Sequence, residues 1–258
     1  MKKVLSDRYF LGRKCIFCDK NRLYKLKDNR VKCKSCNKYY SLKKLRIDMM
    51  VLYYFYLEIS ARKTANELEL NYKTIQSRFM QFRKKIAGYC NQEAKKLNGE
   101  IEIDESYFGG KRKGTRGRGA KNKAIVFGIL ERKGKIYTKI VENVSAETLM
   151  EEIENKTKKG SVFYTDGWRS YASLHQFGKH NIIDHDKELV DTNHNHINGI
   201  EGFWSFAKER FHKYHGIDKQ NYPYYVKEME FRFNHRNDNI YKLLVNICVR
   251  RQFSADST

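Results

Sequence analysis

Three acids stand in contexts that could bring them to one point. Asp104 closes the run Glu100-Ile-Glu-Ile-Asp, in which Ile101 and Ile103 face one side of a strand and Glu102 and Asp104 the other. Asp166 follows the apolar run Val162-Phe-Tyr-Thr and precedes Gly167-Trp168, which puts it at the end of a second strand. Glu201 lies in the stretch from His194 to Lys208; if this is helical after Gly199, Glu201 and Lys208 sit nearly two turns apart on one face. Phe203, Trp204 and Phe206 spread over the other side, so one face would carry chemistry and the other would bury. Two strand-end aspartates and a helix-borne glutamate can converge on hard divalent cations, which take carboxylate oxygens. A pair of such ions can activate an attacking water or 3′-hydroxyl and stabilise the leaving oxygen of a phosphodiester. The arrangement predicts phosphoryl transfer on nucleic acid.

Each acid alone is weak evidence, because most of the 30 acids in such a chain are solvated surface charges. It is the specific context of each that raises the odds. Glu102, Glu105, Asp184, Asp186 and Asp191 are competitors, and Asn198 is the alternative at the third position. Lys208 alone would be an ordinary helix-surface lysine.

The elements that must position these residues follow from the rest of the chain. Its 258 residues suffice for one sizeable core plus one or two small modules. Lysine and arginine outnumber acids 52 to 30, a formal charge of +22 that favours a polyanionic partner, although an anionic membrane surface would also accept it. No apolar run approaches a membrane span, and Met1-Lys2-Lys3 leads into no signal-peptide core, so an intracellular protein is expected. Six cysteines are too few for a disulfide scaffold, and four fall in one short stretch, which points to metal in a reducing compartment.

Those four, Cys15-Ile-Phe-Cys18 and Cys33-Lys-Ser-Cys36, are two C-x-x-C pairs separated by 14 residues, the spacing of a zinc ribbon with one structural zinc. From Leu42 to about Ile86 the apolar residues recur at helical spacing. A first helix over 45–59, a second capped by Ser60 and a third over 72–86 resemble a helix-turn-helix. The third carries Lys73, Thr74, Gln76, Arg78, Arg83, Lys84 and Lys85, of which Lys73, Gln76 and Arg78 are the candidate groove contacts. A plain three-helix packing unit with a solvated face is the alternative.

After Asp104, the segment 108–123 holds seven positive charges, five glycines and no acid, so it reads as a loop. Lys111, Arg112, Lys113, Arg116 and Arg118 would neutralise phosphates beside the acids, with a nuclear-targeting tract as the alternative. Apolar runs over 124–130 and 136–141 predict a hairpin, Ser145-Ala-Glu-Thr caps a helix to about Lys158, and a short helix and strand follow Asp166. Strand, hairpin, helix, strand, helix, strand and acid-bearing helix is, by analogy, the order of a ribonuclease H-like α/β core. His185, His194, Asn195 and His196 leave metal ligation, substrate contact and simple solvation open; the contiguous His-Asn-His does not match an HNH nuclease, whose residues come from separated parts of a ββα unit. Tyr225, Met229 and Phe233 recur at helical spacing, and 241–249 predicts a final amphipathic helix; both should cover the core. Cys90 and Cys248 read as buried thiols.

Taken together, the cysteine pairs, the helix-turn-helix, Ile103-Asp-Glu-Ser-Tyr-Phe-Gly-Gly-Lys, Tyr164-Thr-Asp-Gly-Trp, His196-Ile-Asn-Gly-Ile-Glu-Gly-Phe-Trp-Ser-Phe-Ala-Lys and Glu230-Phe-Arg-Phe-Asn resemble a DDE transposase of the bacterial insertion-sequence type related to eukaryotic Merlin elements. The resemblance implies Asp104, Asp166 and Glu201 as a triad holding two magnesium (or manganese) ions, with Lys208 touching DNA near the cut end. It implies a retroviral integrase-like catalytic core. Some relatives are described by an asparagine at the third position, which keeps Asn198 beside Glu201. The expected organisation is a ribbon at 1–41, a helix-turn-helix module and linker at 42–98, the core at 99–215 and covering helices at 216–258. The expected activity is binding of terminal inverted repeats, then cleavage and strand transfer. Its partners would be double-stranded transposon-end and target DNA and further copies of the chain, a dimer or more, in a nucleoid or nucleus, with no membrane and no small-molecule substrate. A nuclease without strand transfer and a catalytically silent DNA-binding regulator are the alternatives.

Overall fold

The computed structural model describes residues 14–28, 30–109, 123–167, 169–183, 196–214 and 216–250. The chain divides into two compact units, one made of residues 1–89 and 235–258, the other of residues 90–234.

The first unit opens with a three-stranded antiparallel sheet of β1 (Leu23–Lys25), β2 (Arg30–Cys33) and β3 (Tyr39–Ser41). Three helices follow. α1 (Leu42–Tyr56) starts three residues earlier than the spacing predicts, because Ser41 caps it by accepting from the Lys44 N–H. α2 (Ala61–Glu67) is capped by Ser60 as expected. The turn after it closes at Glu69, whose φ of 51° lies in the left-handed region that ends helices. α3 (Tyr72–Glu93) runs two turns further than expected and reaches the first two residues, Gln92 and Glu93, of the linker expected over Gln92–Gly99. Phe55 packs edge-on against Phe79 and Phe82, which joins α1 to α3.

The second unit is a five-stranded sheet of β4 (Glu100–Phe108), β5 (Ala124–Glu131), β6 (Ile136–Val141), β7 (Val162–Asp166) and β8 (Lys179–Ile183), in the order β6-β5-β4-β7-β8. The hairpin β4-β5-β6 is antiparallel, while β7 and β8 run parallel to β4. This is the ribonuclease H-like arrangement of an α/β core. Between β6 and β7 lies α4 (Ala146–Lys156), capped by Ser145. The segment Arg169–Gln176 is 3-10 rather than α-helical. α5 (Asn198–His212) and α6 (Tyr222–Asn234) complete the unit.

Alternation along the strands sorts the core into two layers. Ile101, Ile103, Phe127, Ile129 and Phe163 point to the face covered by Leu149 and Ile153 of α4 and by Tyr171 and Leu174. Phe108, Val126, Leu130 and Tyr164 point to the opposite face, with Ile200, Phe203, Trp204 and Ala207 of α5 and Val226 and Met229 of α6. α6 also closes the sheet edge. The Asn234 amide accepts from Ile136 N and donates to Ile136 O, both at 2.8 Å, and Glu230 accepts from Thr138 N at 2.7 Å. These bonds occupy backbone groups that an exposed edge would offer to another chain.

α7 (Ile240–Leu244), continued by a π-helical turn Val245–Val249, belongs to the first unit. There Tyr241 meets the rings of Tyr53 and Tyr56 of α1. Its amphipathic pattern demands burial but names no partner. Cys90 and Cys248 are buried, as expected.

Candidate active site

Asp104 and Asp166 come from adjacent strands of the second unit. β4 and β7 pair in parallel with Glu102 opposite Tyr164, and continuing that register by two residues sets Asp104 level with Asp166 on the same face. α5 packs over this face and brings Trp204 to the acid: the indole Nε1–H donates to Asp104 Oδ2 at 3.0 Å. Gly128 makes this approach feasible. It is the β5 residue paired with Asp104, and a Cβ there would lie 2.7 Å from Trp204 Cζ2. The helix therefore sits on a strand position without a side chain.

Electrostatics tie the three acids together. Burial pushes the Asp104 carboxyl up to about 6, and the negative charges of Asp166 and Glu201 push in the same direction, against hydrogen bonds from the Glu105 backbone and Trp204. Glu201 and Lys208 are both exposed on α5, as their spacing predicts, while Phe203 and Trp204 are buried. Asn198 opens the helix three residues before Glu201 and is also exposed. Among the described residues, only the four cysteines have three or more ligand atoms all within 4.8 Å of one another. Carboxylate oxygen donors suit hard divalent cations.

Of the competing acids, Glu105 is half-buried on the opposite side of β4 from Asp104 and accepts from the Tyr171 hydroxyl at 2.6 Å. Burial lifts its carboxyl to about 7, with Asp104 and Asp166 adding to the rise. Glu102 is 1% exposed and fully engaged: Arg132 Nε donates to its Oε1 at 3.0 Å, and Ile200 N to its Oε2 at 2.8 Å. His196 belongs to this same cluster, with its carbonyl accepting from Arg132 Nη2 at 2.5 Å. Asp184, His185, Asp186, Asp191, His194 and Asn195 lie outside the described residues, as do Lys111, Arg112, Lys113, Arg116 and Arg118. Sequence reasoning missed Trp204, Gly128, Arg132 and Tyr171. Trp204 lies within a motif block and was read only as a burying residue, whereas Gly128, Arg132 and Tyr171 lie outside the blocks and carried no signal.

In the first unit the four cysteines fit a zinc site. Four thiolates around zinc at about 2.3 Å sit about 3.8 Å apart, and the sulfurs of Cys15 and Cys36 are separated by 3.7 Å and those of Cys18 and Cys33 by 3.6 Å. The two knuckles repeat one another. Asp19 N reaches Cys15 O at 3.0 Å and Asn37 N reaches Cys33 O at 2.9 Å, with φ of 61° at Asp19 and 58° at Asn37. Burial pushes the Cys15 thiol up to about 12. At Cys33 backbone N–H groups of Cys36 and Ser35 outweigh burial and bring the thiol down to about 7.

On α3, Lys73 and Gln76 are exposed. Arg78 is half-buried and paired to Asp48 through Nε at 2.7 Å. Arg83, expected among the outward basic residues, is buried with its guanidinium 5.3 Å from the Phe55 ring centroid. It stands four residues after Phe79 and three before Ile86, at the border between the buried face and the face of Gln76, seven residues before it.

Comparison with known proteins assigns the family. Residues 96–234, just over half of the chain, match the ISXO2-like transposase domain, and the chain belongs to that family of DDE transposases. It is therefore a transposase, a polynucleotidyl transferase. A transposase-like protein of Haemophilus influenzae is 44% identical over 104 residues, covering 40% of this chain and 83% of that one. A protein of the transposable element ISH50 of Halobacterium salinarum is 25% identical over 203 residues, covering 71% and 67%. Among solved structures, the catalytic domain of Mos1 mariner transposase aligns with a TM-score of 0.34 at 11% identity, over 64% of this chain and 89% of that one. The HTLV-2 integrase catalytic core in complex with magnesium aligns with a TM-score of 0.34 at 10% identity, over 54% and 87%. Among the described residues no helix is long and apolar enough to cross a membrane.

Proposed function

We propose that this transposase binds the terminal inverted repeats of its element through the first unit and cleaves and joins DNA at Asp104, Asp166 and Glu201. What supports the reading is that Asp104, in the middle of β4, and Asp166, at the end of the adjacent parallel strand β7, lie on paired strands, and that the charges of Asp166 and the helix-borne Glu201 both act on Asp104. Asp104, Asp166 and Glu201 would hold two magnesium or manganese ions, which supply activation of the attacking oxygen and stabilisation of the leaving one. Trp204 orients the Asp104 carboxylate, and α5 presents Glu201 and Lys208 on one exposed face, where the Lys208 ammonium would meet a DNA phosphate. Asn198 is the substitute third ligand should Glu201 prove dispensable. The basic residues at 111, 112, 113, 116 and 118 add phosphate neutralisation, and the net charge of +22 suits transposon-end and target DNA. Bringing two ends together calls for a dimer or larger assembly.

The test is divalent-dependent cleavage and joining of end-bearing DNA by the wild type and by Asp104→Asn, Asp166→Asn and Glu201→Gln. Joined product from the wild type, lost in all three variants while end binding persists, is expected. Cleavage without joined product would make the chain a nuclease, and binding without chemistry a regulator.

A further inference from the structure

α5 lacks a cap of its own. The residue at its N-cap is Ile197, which offers no side-chain acceptor to the first turn. Helix starts without an acceptor leave N–H groups unsatisfied, and burial makes that costly. Here the acceptor comes from another element. Glu102 Oε2 reaches from β4 to the Ile200 N–H at 2.8 Å, and its negative charge stands where the helix dipole favours one. Gly199 leaves room for this approach, since a Cβ there would lie 2.8 Å from Glu102 Oε2.

A buried carboxylate persists only if it is paired. Arg132 provides that pairing through Nε to Glu102 Oε1 at 3.0 Å, and the same guanidinium holds the chain just before the helix through the His196 carbonyl. Arg132 is itself fixed from two sides. It lies 3.7 Å from the Tyr164 ring centroid of β7, and Nη1 reaches Glu100 at 3.1 Å, while the Tyr164 hydroxyl donates to that same carboxylate at 2.7 Å. Strands β4 and β7, which carry Asp104 at mid-strand and Asp166 at the strand end, are thus wired to the first turn of the helix that carries the third acid.

We propose that Glu102 is a positioning residue: by capping α5 from β4, with Arg132 as its counter-ion, it sets where Glu201 stands relative to Asp104. Glu102 is two residues before Asp104 on the same face of one strand, and Ile200 is the neighbour of Glu201 on one helix. Beside the Trp204 bond to Asp104, the hydrogen bond between them is a second tie from the strand of one candidate metal ligand to the helix of the other. The inference rests on the reading of Asp104 and Glu201 as metal ligands.

The experiment is manganese binding by calorimetry to the full-length, zinc-loaded chain, with thermal melting recorded in parallel. Wild type, Asp104→Asn, Glu102→Gln, Glu102→Ala and Gly199→Ala are compared. Binding in Glu102→Ala should weaken about 10-fold, as for loss of an outer support of a metal site. Glu102→Gln should lose less, because its amide oxygen still accepts from Ile200 N–H. Gly199→Ala, which improves helix propensity but pushes the helix start off Glu102, should also bind manganese more weakly. A merely structural role would lower the melting temperature and leave manganese affinity of the folded protein within about 2-fold of wild type; that result overturns the proposal. Should Glu102→Ala fail to fold, Gly199→Ala decides, with unchanged affinity overturning the proposal and weakened affinity supporting it. Wild-type binding that Asp104→Asn leaves intact would overturn the metal-site reading itself, whereas binding lost in Asp104→Asn but unchanged in the Glu102 and Gly199 variants overturns only the positioning role.

Discussion

The indole Nε1–H of Trp204 donates to Oδ2 of Asp104 over 3.0 Å, although the two residues are 100 positions apart in the chain. A residue that packs the helix onto the sheet therefore also fixes the orientation of a carboxylate in the candidate site. Trp204→Phe keeps an aromatic ring on this face but removes the donor together with part of the indole that packs over Gly128. The fold should survive, with divalent affinity about 10-fold weaker, as expected when a second partner of a ligand is lost. Manganese titration of the folded variant checks this, and wild-type affinity would make the hydrogen bond incidental.

The raised carboxyls predict how stability depends on pH when no divalent ion is bound. Asp104 is shifted from an ordinary value of 3.8 to about 6, and Glu105 from 4.5 to about 7. Both prefer the protonated form in the folded state, so neither costs stability well below their ordinary values of 3.8 and 4.5, where both are protonated folded or unfolded. The penalty grows between about pH 4 and pH 7 as the unfolded chain releases these protons first. Magnesium-free protein should melt lower at pH 7.5 than these groups allow at pH 4.5. Asp104→Asn should raise the melting temperature by a few degrees at pH 7.5 and change it little at pH 4.5. Melts at the two pH values, without and with magnesium, measure the difference; adding magnesium should stabilise the wild type and not the variant.

The cysteine geometry predicts one zinc per chain, lost in Cys33→Ser. The ribbon is too small to hold itself by its own core, so the metal supplies its folding energy. Chelation should open residues 14–41 to a protease that spares them in the zinc form, with the first cleavages read by mass spectrometry. Resistance that survives chelation would exclude a structural metal.

On α3 the exposed pair Lys73 and Gln76 should behave differently from Arg78, which is held by Asp48. Lys73→Ala should weaken binding to all sequences and reduce the salt slope by about one. Gln76→Ala should cost about 1–3 kcal/mol on end DNA and little on unrelated DNA. Arg78→Ala should act mainly through stability. Anisotropy titrations at several salt concentrations separate the three.

Much of this architecture was legible in local spacing. The C-x-x-C pairs, the Ile101/Ile103 against Glu102/Asp104 alternation and the Ser60 and Ser145 caps are short-range patterns, and the structure contains each of them. What escaped is non-local. Glu102 looked like a rival catalytic acid because its partners, Arg132 and Ile200, lie 30 and 98 residues away. Trp204 looked like an anchor alone because helical spacing reports burial and says nothing of where an indole N–H ends. Arg83 was misjudged from charge, because it stands at the border of two faces of α3, seven residues after exposed Gln76 and four after buried Phe79. The destination of α7 could not be read from an amphipathic pattern that any apolar surface would satisfy.

The most direct test of the central claim is metal-specific rescue. Asp104→Cys, Asp166→Cys and Glu201→Cys each replace an oxygen donor by a sulfur donor, which magnesium accepts poorly and manganese better. If the three acids bind the catalytic ions, these variants should be inactive in end-DNA cleavage with magnesium and regain measurable activity with manganese, while the wild type works with both. A Glu201→Cys variant active with magnesium, or an Asn198→Cys variant that alone shows the metal switch, would contradict the assignment of the third ligand. Magnesium-supported activity in all three variants would contradict the site.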